Sequence, residues 1–314
     1  MIFRSIYISL LALLFLGSCT KEPFNECPTG HYLEFEYTVN PEGVNLFEQE
    51  VTCLDVYIFD KDGFFVKTIT TSDQRLKNDY KMYLNLEPGK YCFLVWAGKK
   101  DSYKIFDNDA SDHEAGFHAG VSRIEDIRLQ IRHNDYTVSD DFEDLYYYRA
   151  HAVEVENQGE STLISLVKDC NTINFTFIGY KENLSKSITS LGSYLKIKNG
   201  GFNFNNIIDL TIPSIIYKPQ EESFENGIYR STLKTLALQT TISGSHLILE
   251  SKNLGYNLVD IDPIKAIMKH PNITTDYDFL KYETFDIEVD ISSNLGVKIT
   301  VNGYVVQNVD SEIN

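Results

Sequence analysis

The first residue whose position suggests a definite chemistry is Cys19. It follows Leu16-Gly17-Ser18, and small residues before a cysteine are typical of a lipobox, in which the thiol takes up a diacylglycerol before cleavage. The apolar run 6–16 lies just upstream and carries no charge. Because a membrane span needs about 20 residues, this run predicts a signal peptide over 1–18. We predict lipidation of Cys19; an ordinary secretory signal with an incidental cysteine is the alternative.

The other cysteines could form disulfides. Removing 1–18 and lipidating Cys19 leaves Cys27, Cys53, Cys92 and Cys170. An even number in an exported chain permits two disulfides in three connectivities. The sequence does not choose among the pairings, and free buried thiols are the alternative. Residue 20 is Thr rather than Asp, which favours the outer membrane over retention in the inner one.

Two polar segments come close to metal-binding patterns but depart from them. His113 and His118 are five residues apart, so on a helix they would point about 140° apart and could not share one zinc ion. The segment from Asp107 to Ser111 begins like a calcium loop, but Asp112 and His118 occupy the positions that need Gly and Glu. We expect a solvated acidic loop and predict no metal and no cofactor.

The sequence contains no recognisable catalytic motif. A nucleophile elbow, a glycine-rich phosphate loop and a Cys-x-x-Cys pair are all absent from it. We therefore predict that the chain is not an enzyme, although a glycosidase pair of carboxylates would leave no local spacing to detect. The aromatic run 146–148 could stack on sugars, so a surface carbohydrate-binding lipoprotein is the second functional hypothesis.

The composition describes an acidic protein with enough apolar residues for a core. The formal net charge is −17, and loss of Arg4 with the signal peptide makes it about −18. This charge argues against nucleic acid and anionic lipid as partners. Hydrophobic residues make up 43% of the chain, and the mature length suits two domains.

Alternation of apolar and polar residues dominates the rest of the chain. In 31–39, Leu33, Phe35 and Tyr37 fall on one face and Glu34 and Glu36 on the other, the period of a half-buried strand. Similar signals predict further strands at 51–59, 64–69, 80–86, 90–97, 127–132, 146–155, 162–168, 173–177, 194–198, 207–212, 228–238, 246–250, 285–291 and 297–306.

A few residues predict where the chain turns and where a helix begins. Asp62-Gly63 predicts a hairpin turn between two of the strands. Asp262 followed by Pro263 predicts the start of one short helix over 264–269. The chain is thus predicted to be all-β, with a tether over 19–30 and two tandem β-sandwich domains over 31–165 and 166–314.

Taken in order, several motifs resemble the FimB/Mfa2 family of anchoring and minor fimbrial subunits of Bacteroidales. Besides the lipobox, the matching pieces are Cys27-Pro28 and the segments 56–63, 91–98, 144–148, 171–175 and 301–306. Two departures are visible: Tyr304 replaces the Trp that is more typical, and Lys168-Asp169 replaces a single basic residue.

The resemblance implies two transthyretin-like sandwiches without catalysis or cofactor. It also implies a lipid-anchored place in the outer membrane at the fimbrial base, with the fimbrial shaft subunit as partner and control of shaft length as a candidate second role. Shaft subunits of the wider fimbrillin family resemble precursors that an arginine-specific protease trims, whereas the first Arg after Cys19 here is Arg75.

A strand near the chain end is the candidate for assembly by β-strand addition. The segment 297–306 is rich in β-formers and lies where a strand most easily leaves its own sheet. Its candidate contact residues are Val297, Ile299, Val301, Tyr304 and Val306. The alternative is an ordinary strand that closes the second sandwich.

Overall fold

The structure is a computed structural model that describes residues 30–71, 76–98, 100–108, 116–139, 141–156, 159–179, 188, 190–292 and 296–309. In the first half the strands are β1 His31–Val39, β2 Leu54–Asp60, β3 Phe65–Thr71, β4 Lys81–Leu84, β5 Gly89–Ala97, β6 Tyr103–Asp107, β7 Ile127–Ile131, β8 Thr137–Val138, β9 Tyr146–Val155 and β10 Ser161–Lys168. The all-β prediction is confirmed.

The second half continues in the same manner. Its strands are β11 Cys170–Ile178, β12 Leu191–Ile197, β13 Gly201–Asn203, β14 Ile215–Tyr217, β15 Glu221–Glu225, β16 Ile228–Leu236, β17 His246–Ser251, β18 Tyr256–Ile261, β19 Thr284–Asp290, β20 Val297–Val301 and β21 Tyr304–Val309. The α-helices are α1 Phe47–Glu50, α2 Pro263–Ile267 and α3 Asp276–Tyr282. No helix in the described residues is long and apolar enough to cross a membrane.

A seven-stranded sheet is built from the first half, in the order β3-β2-β5-β9-β10-β1-β4. In β1, Leu33, Phe35 and Tyr37 are buried as the alternation predicts. The predicted turn joins β2 to β3, where Gly63 has a φ of 84°, a value that favours glycine. Asp60 accepts hydrogen bonds from the backbone N–H groups of Asp62 and Phe64, both at 2.9 Å, and so fixes the reversal.

Of the remaining sheets, one is built from the second half alone and two mix strands from both halves. A six-stranded sheet has the order β15-β16-β11-β19-β20-β21, and a three-stranded sheet has the order β13-β7-β6. A five-stranded sheet has the order β18-β17-β12-β14-β8. Thus β13 pairs with β7, and β14 pairs in parallel with β8, across the predicted domain boundary.

The hydrophobic core also crosses that boundary. One cluster brings Trp96 and Leu129 from the first half together with Phe175 and Leu233 from the second. A smaller cluster contains Leu33, Phe35 and Val56, on the other face of the seven-stranded sheet. The predicted division between 165 and 166 falls inside β10, and the chain changes sheets at Asp169. Separation into two tandem domains therefore stays a prediction.

Sequence signals mark the starts of two helices, of which one was predicted and one was missed. The predicted helix is α2, where the side chain of Asp262 accepts a hydrogen bond from the backbone N–H of Lys265 and Pro263 occupies the first turn. Helix α3 was not predicted, although Thr275 and Asp278, which form a capping box at its start, are a recognisable sequence signal.

Some of the predicted strand positions are wrong. Residues 207–212 form turns and one isolated bridge, from Phe202 to Ile208, because Asn206 has a φ of 61° and Asp209 accepts a hydrogen bond from the backbone N–H of Thr211. β6 ends at Asp107, the first residue of the acidic segment expected to be a loop. The parts of this segment at Asp109, Ser111, Asp112 and His113 lie outside the described residues.

Candidate assembly surface

The segment predicted as one assembly strand is a hairpin. Val297, Ile299 and Val301 belong to β20, whereas Tyr304 and Val306 belong to β21. Asn302 and Gly303 between them have φ values of 47° and 76°, as a tight two-residue hairpin turn requires. The prediction of a continuous strand is therefore wrong, because Asn-Gly reverses the chain.

The two strands of this hairpin have different places in the sheet. β20 lies between β19 and β21, and its Ile299 and Val301 are buried in the core. β21 is the last strand of the sheet, and Tyr304 and Val305 are 48% and 45% exposed. β20 thus closes the core, while β21 has no second neighbour among the strands that the structure describes. The part of either strand in assembly stays a prediction.

The two edges of this six-stranded sheet differ in charge. β15, at one end, carries Glu221, Glu222 and Glu225. β21, at the other, has the sequence Tyr-Val-Val-Gln-Asn-Val and no charged residue. Charged side chains on an edge oppose the addition of another strand. The edge of β21 is therefore the better suited to accept or supply a strand.

Side chains beyond α2 hold the hairpin in place. The imidazole of His270 packs edge-on against the ring of Tyr304, with the centroids 5.5 Å apart. The ring of Tyr282 also packs edge-on against His270, with the centroids 6.3 Å apart. Lys269 Nζ donates to Gln307 Oε1 at 3.5 Å. These contacts join β21 to the segment after α2.

The cysteines proposed for disulfides lie apart from this surface. Cys92 and Cys170 carry free thiols, and the thiol of Cys53 donates to the carbonyl oxygen of Gly98. No disulfide joins any two of these three cysteines; the sequence left the pairing open, and disulfide formation stays a prediction. Burial raises the pKa of Cys170 to about 12, which keeps this thiol protonated and unreactive. Cys19 and Cys27 lie outside the described residues.

A half-buried cluster of charges joins the two halves of the chain. Lys168 Nζ lies 2.8 Å from Asp144 Oδ2, 3.2 Å from Glu50 Oε2 and 3.5 Å from Glu283 Oε2. Asp144 also binds Lys234, with its Oδ1 at 2.9 Å. Burial opposes the charge of Lys168, but the surrounding carboxylates hold its pKa above the ordinary value. The ammonium group therefore stays charged and links Glu50 to Glu283 across the junction.

Two tyrosines complete this charge cluster. Tyr146 donates to Glu50 Oε2 at 2.8 Å, and Tyr37 donates to Glu283 Oε1. Sequence reasoning noticed Lys168 only as a departure from a family pattern. It missed the cluster because its members are spread from position 37 to position 283, with no spacing that could reveal them.

Comparison with known protein families identifies the family of this chain. A model of the fimbrillin-A associated anchor proteins Mfa1 and Mfa2 matches residues 24–310. The match takes in all the sheets and the C-terminal hairpin. The chain belongs to this anchor-protein family. The resemblance seen in the sequence motifs is thereby confirmed.

Individual relatives agree with membership of the anchor-protein family. The minor fimbrium anchoring subunit Mfa2 of Porphyromonas gingivalis is 22% identical, over 99% of this chain and 97% of that protein. The solved structure of the fimbrial anchor protein Mfa2 from the same species has a TM-score of 0.73 at 20% identity, covering 90% of this chain and 100% of that one.

A second solved structure has the same fold. It is a DUF1812 protein of Bacteroides thetaiotaomicron described as a candidate polysaccharide-binding protein. Its TM-score is 0.75 at 21% identity, covering 91% of this chain and 99% of that one. At this identity the likeness concerns the fold.

Proposed function

We propose that this chain is a non-catalytic lipoprotein of the outer membrane that attaches a fimbrial shaft to the cell surface. The observation that carries the proposal is the anchor-family match over 24–310, directly behind a lipobox that ends at Cys19. The Mfa2 relative is an anchoring subunit by name. Control of shaft length is a second role that the same position at the fimbrial base allows.

Lipid supplies the attachment on the membrane side. A single acyl chain binds a bilayer only marginally, whereas two or more hold a protein stably. A diacylglycerol on Cys19 meets that requirement without help from the protein surface. The net charge of −17 would repel anionic headgroups, so the lipid has to carry the attachment alone.

The C-terminal hairpin supplies the contact with the shaft in this proposal. An exposed edge strand offers main-chain N–H and C=O groups that a neighbour's strand can satisfy. β21 offers such an edge without charge, and β20 ties it into the core. Whether β21 pairs in place or leaves its sheet to pair elsewhere is a further choice within the same mechanism.

The test is Cys19→Ala, with Cys27→Ala as the matched control. The first strand begins at His31, downstream of Cys19, so the Cys19 variant should fold normally but be released from membranes together with its fimbriae. The control should stay in the membrane fraction. The measurement is quantitative blotting of chain and shaft in membrane and medium. Equal membrane retention of the two variants would contradict the proposal.

A further inference from the structure

A two-residue turn between β7 and β8 holds an aromatic side chain in a strained backbone conformation. Asn134 and Thr137 exchange backbone hydrogen bonds of 2.9 and 2.8 Å around Asp135 and Tyr136. The φ values of these two central residues are 49° and 57°, as in a type I′ turn, which favours Asn-Gly. A bulky residue with positive φ costs free energy that glycine would not. The turn by itself therefore gives no reason for a tyrosine at position 136.

The ring of Tyr136 is held at the surface by its neighbours. The side chain is 45% exposed, and its ring stacks on the imidazole of His133, with the centroids 4.9 Å apart and the planes at 26°. His133 Nδ1 accepts a hydrogen bond from the backbone N–H of Tyr136 at 3.1 Å, and His133 Nε2 lies 3.3 Å from Gln130 Nε2. Contacts at both imidazole nitrogens hold the two rings in one orientation, so the exposed ring is pre-organised for a ligand.

A groove with a volume of about 370 Å³ lies beside this turn. His133 and Asn134 line it together with Asp101 and Arg132. Asp101, Arg132 and Asn134 are exposed, and within the described part of the chain their side chains make no hydrogen bond or ion pair. The groove thus offers a carboxylate, a guanidinium and an amide whose hydrogen-bonding capacity is open to a ligand.

The shape and polarity of this surface favour a saccharide over a protein. Apart from Tyr136, the apolar residues at the groove are Val138 and Phe142, and both are buried. The centre of a protein–protein interface usually groups several exposed aromatic and apolar side chains. A concave groove of a few hundred Å³ instead suits a small ligand. The C–H groups of a sugar ring can pack on the electron-rich face of an aromatic ring, and its hydroxyls can pair with planar polar groups.

The charges around the groove favour a sugar that carries no charge. Arg132 is accompanied by Asp101 and Asp141, and Asp141 lies 3.7 Å from Lys234 Nζ. Cations and carboxylates are thus equal in number here. The net charge of the whole chain is −17, which opposes the approach of an acidic glycan.

We infer that this turn and groove bind a neutral oligosaccharide. One sugar ring packs on the exposed ring of Tyr136, and a neighbouring sugar unit occupies the groove, where it bonds to Asp101, Arg132 and Asn134. This binding activity is additional to the attachment of a shaft and does not depend on it. The site also lies apart from the C-terminal hairpin, because the turn joins β7 and β8 and not the strands of the six-stranded sheet.

Substitutions within the turn separate binding from folding. Tyr136→Gly removes the ring and relieves the backbone strain, so this variant should melt no lower than the unmodified chain but bind the oligosaccharide at least tenfold more weakly. Asp135→Gly, the matched control, relieves strain at the neighbouring residue and keeps the ring, so it should bind within twofold of the unmodified chain. Tyr136→Phe keeps the stacking surface and should bind within threefold.

Titration calorimetry of the full chain measures this binding with two probes. One is the neutral oligosaccharide fraction released from the surface polysaccharide of cells that express the chain, and the other is the neutral fraction released from mucin. Saturation-transfer NMR then identifies the sugar protons that contact the protein. Protons on one face of a sugar ring should show the strongest transfer, and Tyr136→Gly should remove it.

Each outcome either supports or overturns the inference. Binding of either fraction that Tyr136→Gly loses and Asp135→Gly keeps would support it, and the fraction that binds would identify the source of the sugar. It would be overturned if neither fraction bound at millimolar concentration, or if Tyr136→Gly bound as well as the unmodified chain. Shaft attachment should be unchanged in Tyr136→Gly; its loss would show that the turn is a protein contact and that the inference is wrong.

Discussion

Asp169 shows at the residue scale what burial does to a single carboxyl group. Its side chain is fully buried, and Oδ1 accepts a hydrogen bond from Asn206 Nδ2 at 2.7 Å. Asp169 Oδ2 and Asn206 Oδ1 are both buried without a hydrogen-bond partner. Burial raises the pKa of Asp169 to about 8. The neutral form suits this site because it avoids a buried negative charge that no cation among the described residues pairs.

The titration of Asp169 predicts that the protein loses stability as the pH rises from about 4 to about 8. Because its pKa is about 8 in the folded state and 3.8 by its usual value, the folded protein holds more protons between these values. Within this window the free energy of unfolding should fall by about 1.4 kcal/mol for each pH unit. Asp169→Asn, which is isosteric and neutral, should remove this fall. Urea unfolding at pH 5, 6, 7 and 8 measures both.

A control variant separates the effect of Asp169 from that of other titrating groups. Asp209→Asn changes a more exposed carboxyl on a nearby turn and should keep the pH dependence of the unmodified chain. If Asp169→Asn loses stability with pH as steeply as the unmodified chain does, Asp169 is already ionised in the folded protein and the assignment is wrong.

At the scale of elements, the two strands of the C-terminal hairpin have different roles. One turn of two residues divides it into β20, which buries Ile299 and Val301, and β21, which presents an edge. Deleting 297–314 would therefore damage the core as well as the candidate contact. A substitution on the outer strand separates the two effects, because exposed positions usually change stability by less than about 0.5 kcal/mol.

Val305→Lys is the variant that tests β21. Val305 is 45% exposed on the edge strand, and a lysine there should oppose strand addition, lowering shaft attachment at least tenfold with little change in melting temperature. Val297→Lys makes the same change on the inner strand β20 and should attach normally. Co-purification of shaft protein and thermal unfolding measure the two effects. Normal attachment of Val305→Lys would exclude edge addition at β21.

At the scale of the whole molecule, the shared core constrains how the chain can be processed. The first Arg after Cys19 is Arg75, which follows β3. A cut there would remove β1, β2 and β3, whose Leu33, Phe35 and Val56 are fully buried or nearly so. Trimming at an arginine would thus destroy the seven-stranded sheet instead of opening a groove in it.

We therefore predict that the mature protein keeps residues 19–74. Protein purified with its fimbriae should start at Cys19 and carry lipid, as intact mass and N-terminal analysis can establish. The shaft subunit from the same preparation serves as the comparison for a processed chain. A lipid-free form that starts between residues 22 and 50 would show that another protease matures this chain as a shaft subunit.

Short-range patterns in the sequence determined most of the strands, one turn and one helix start. The alternation in β1, the turn at Gly63 and the N-cap Asp262 each depend on residues close in sequence, so local chemistry is enough to predict them. Asn302-Gly303 carried the same kind of signal and was missed. The family, too, could be identified from motifs in order along the chain.

Only the tertiary structure decided which strands share a sheet and which charges meet. β1 pairs in parallel with β10, with Tyr32 opposite Ser161, and nothing local in either strand encodes that register. The cluster around Lys168 and the burial of Asp169 likewise depend on segments far apart in sequence. Long-range pairing follows from how all the apolar faces are buried together, and a pattern read along one segment contains no information about its distant neighbours.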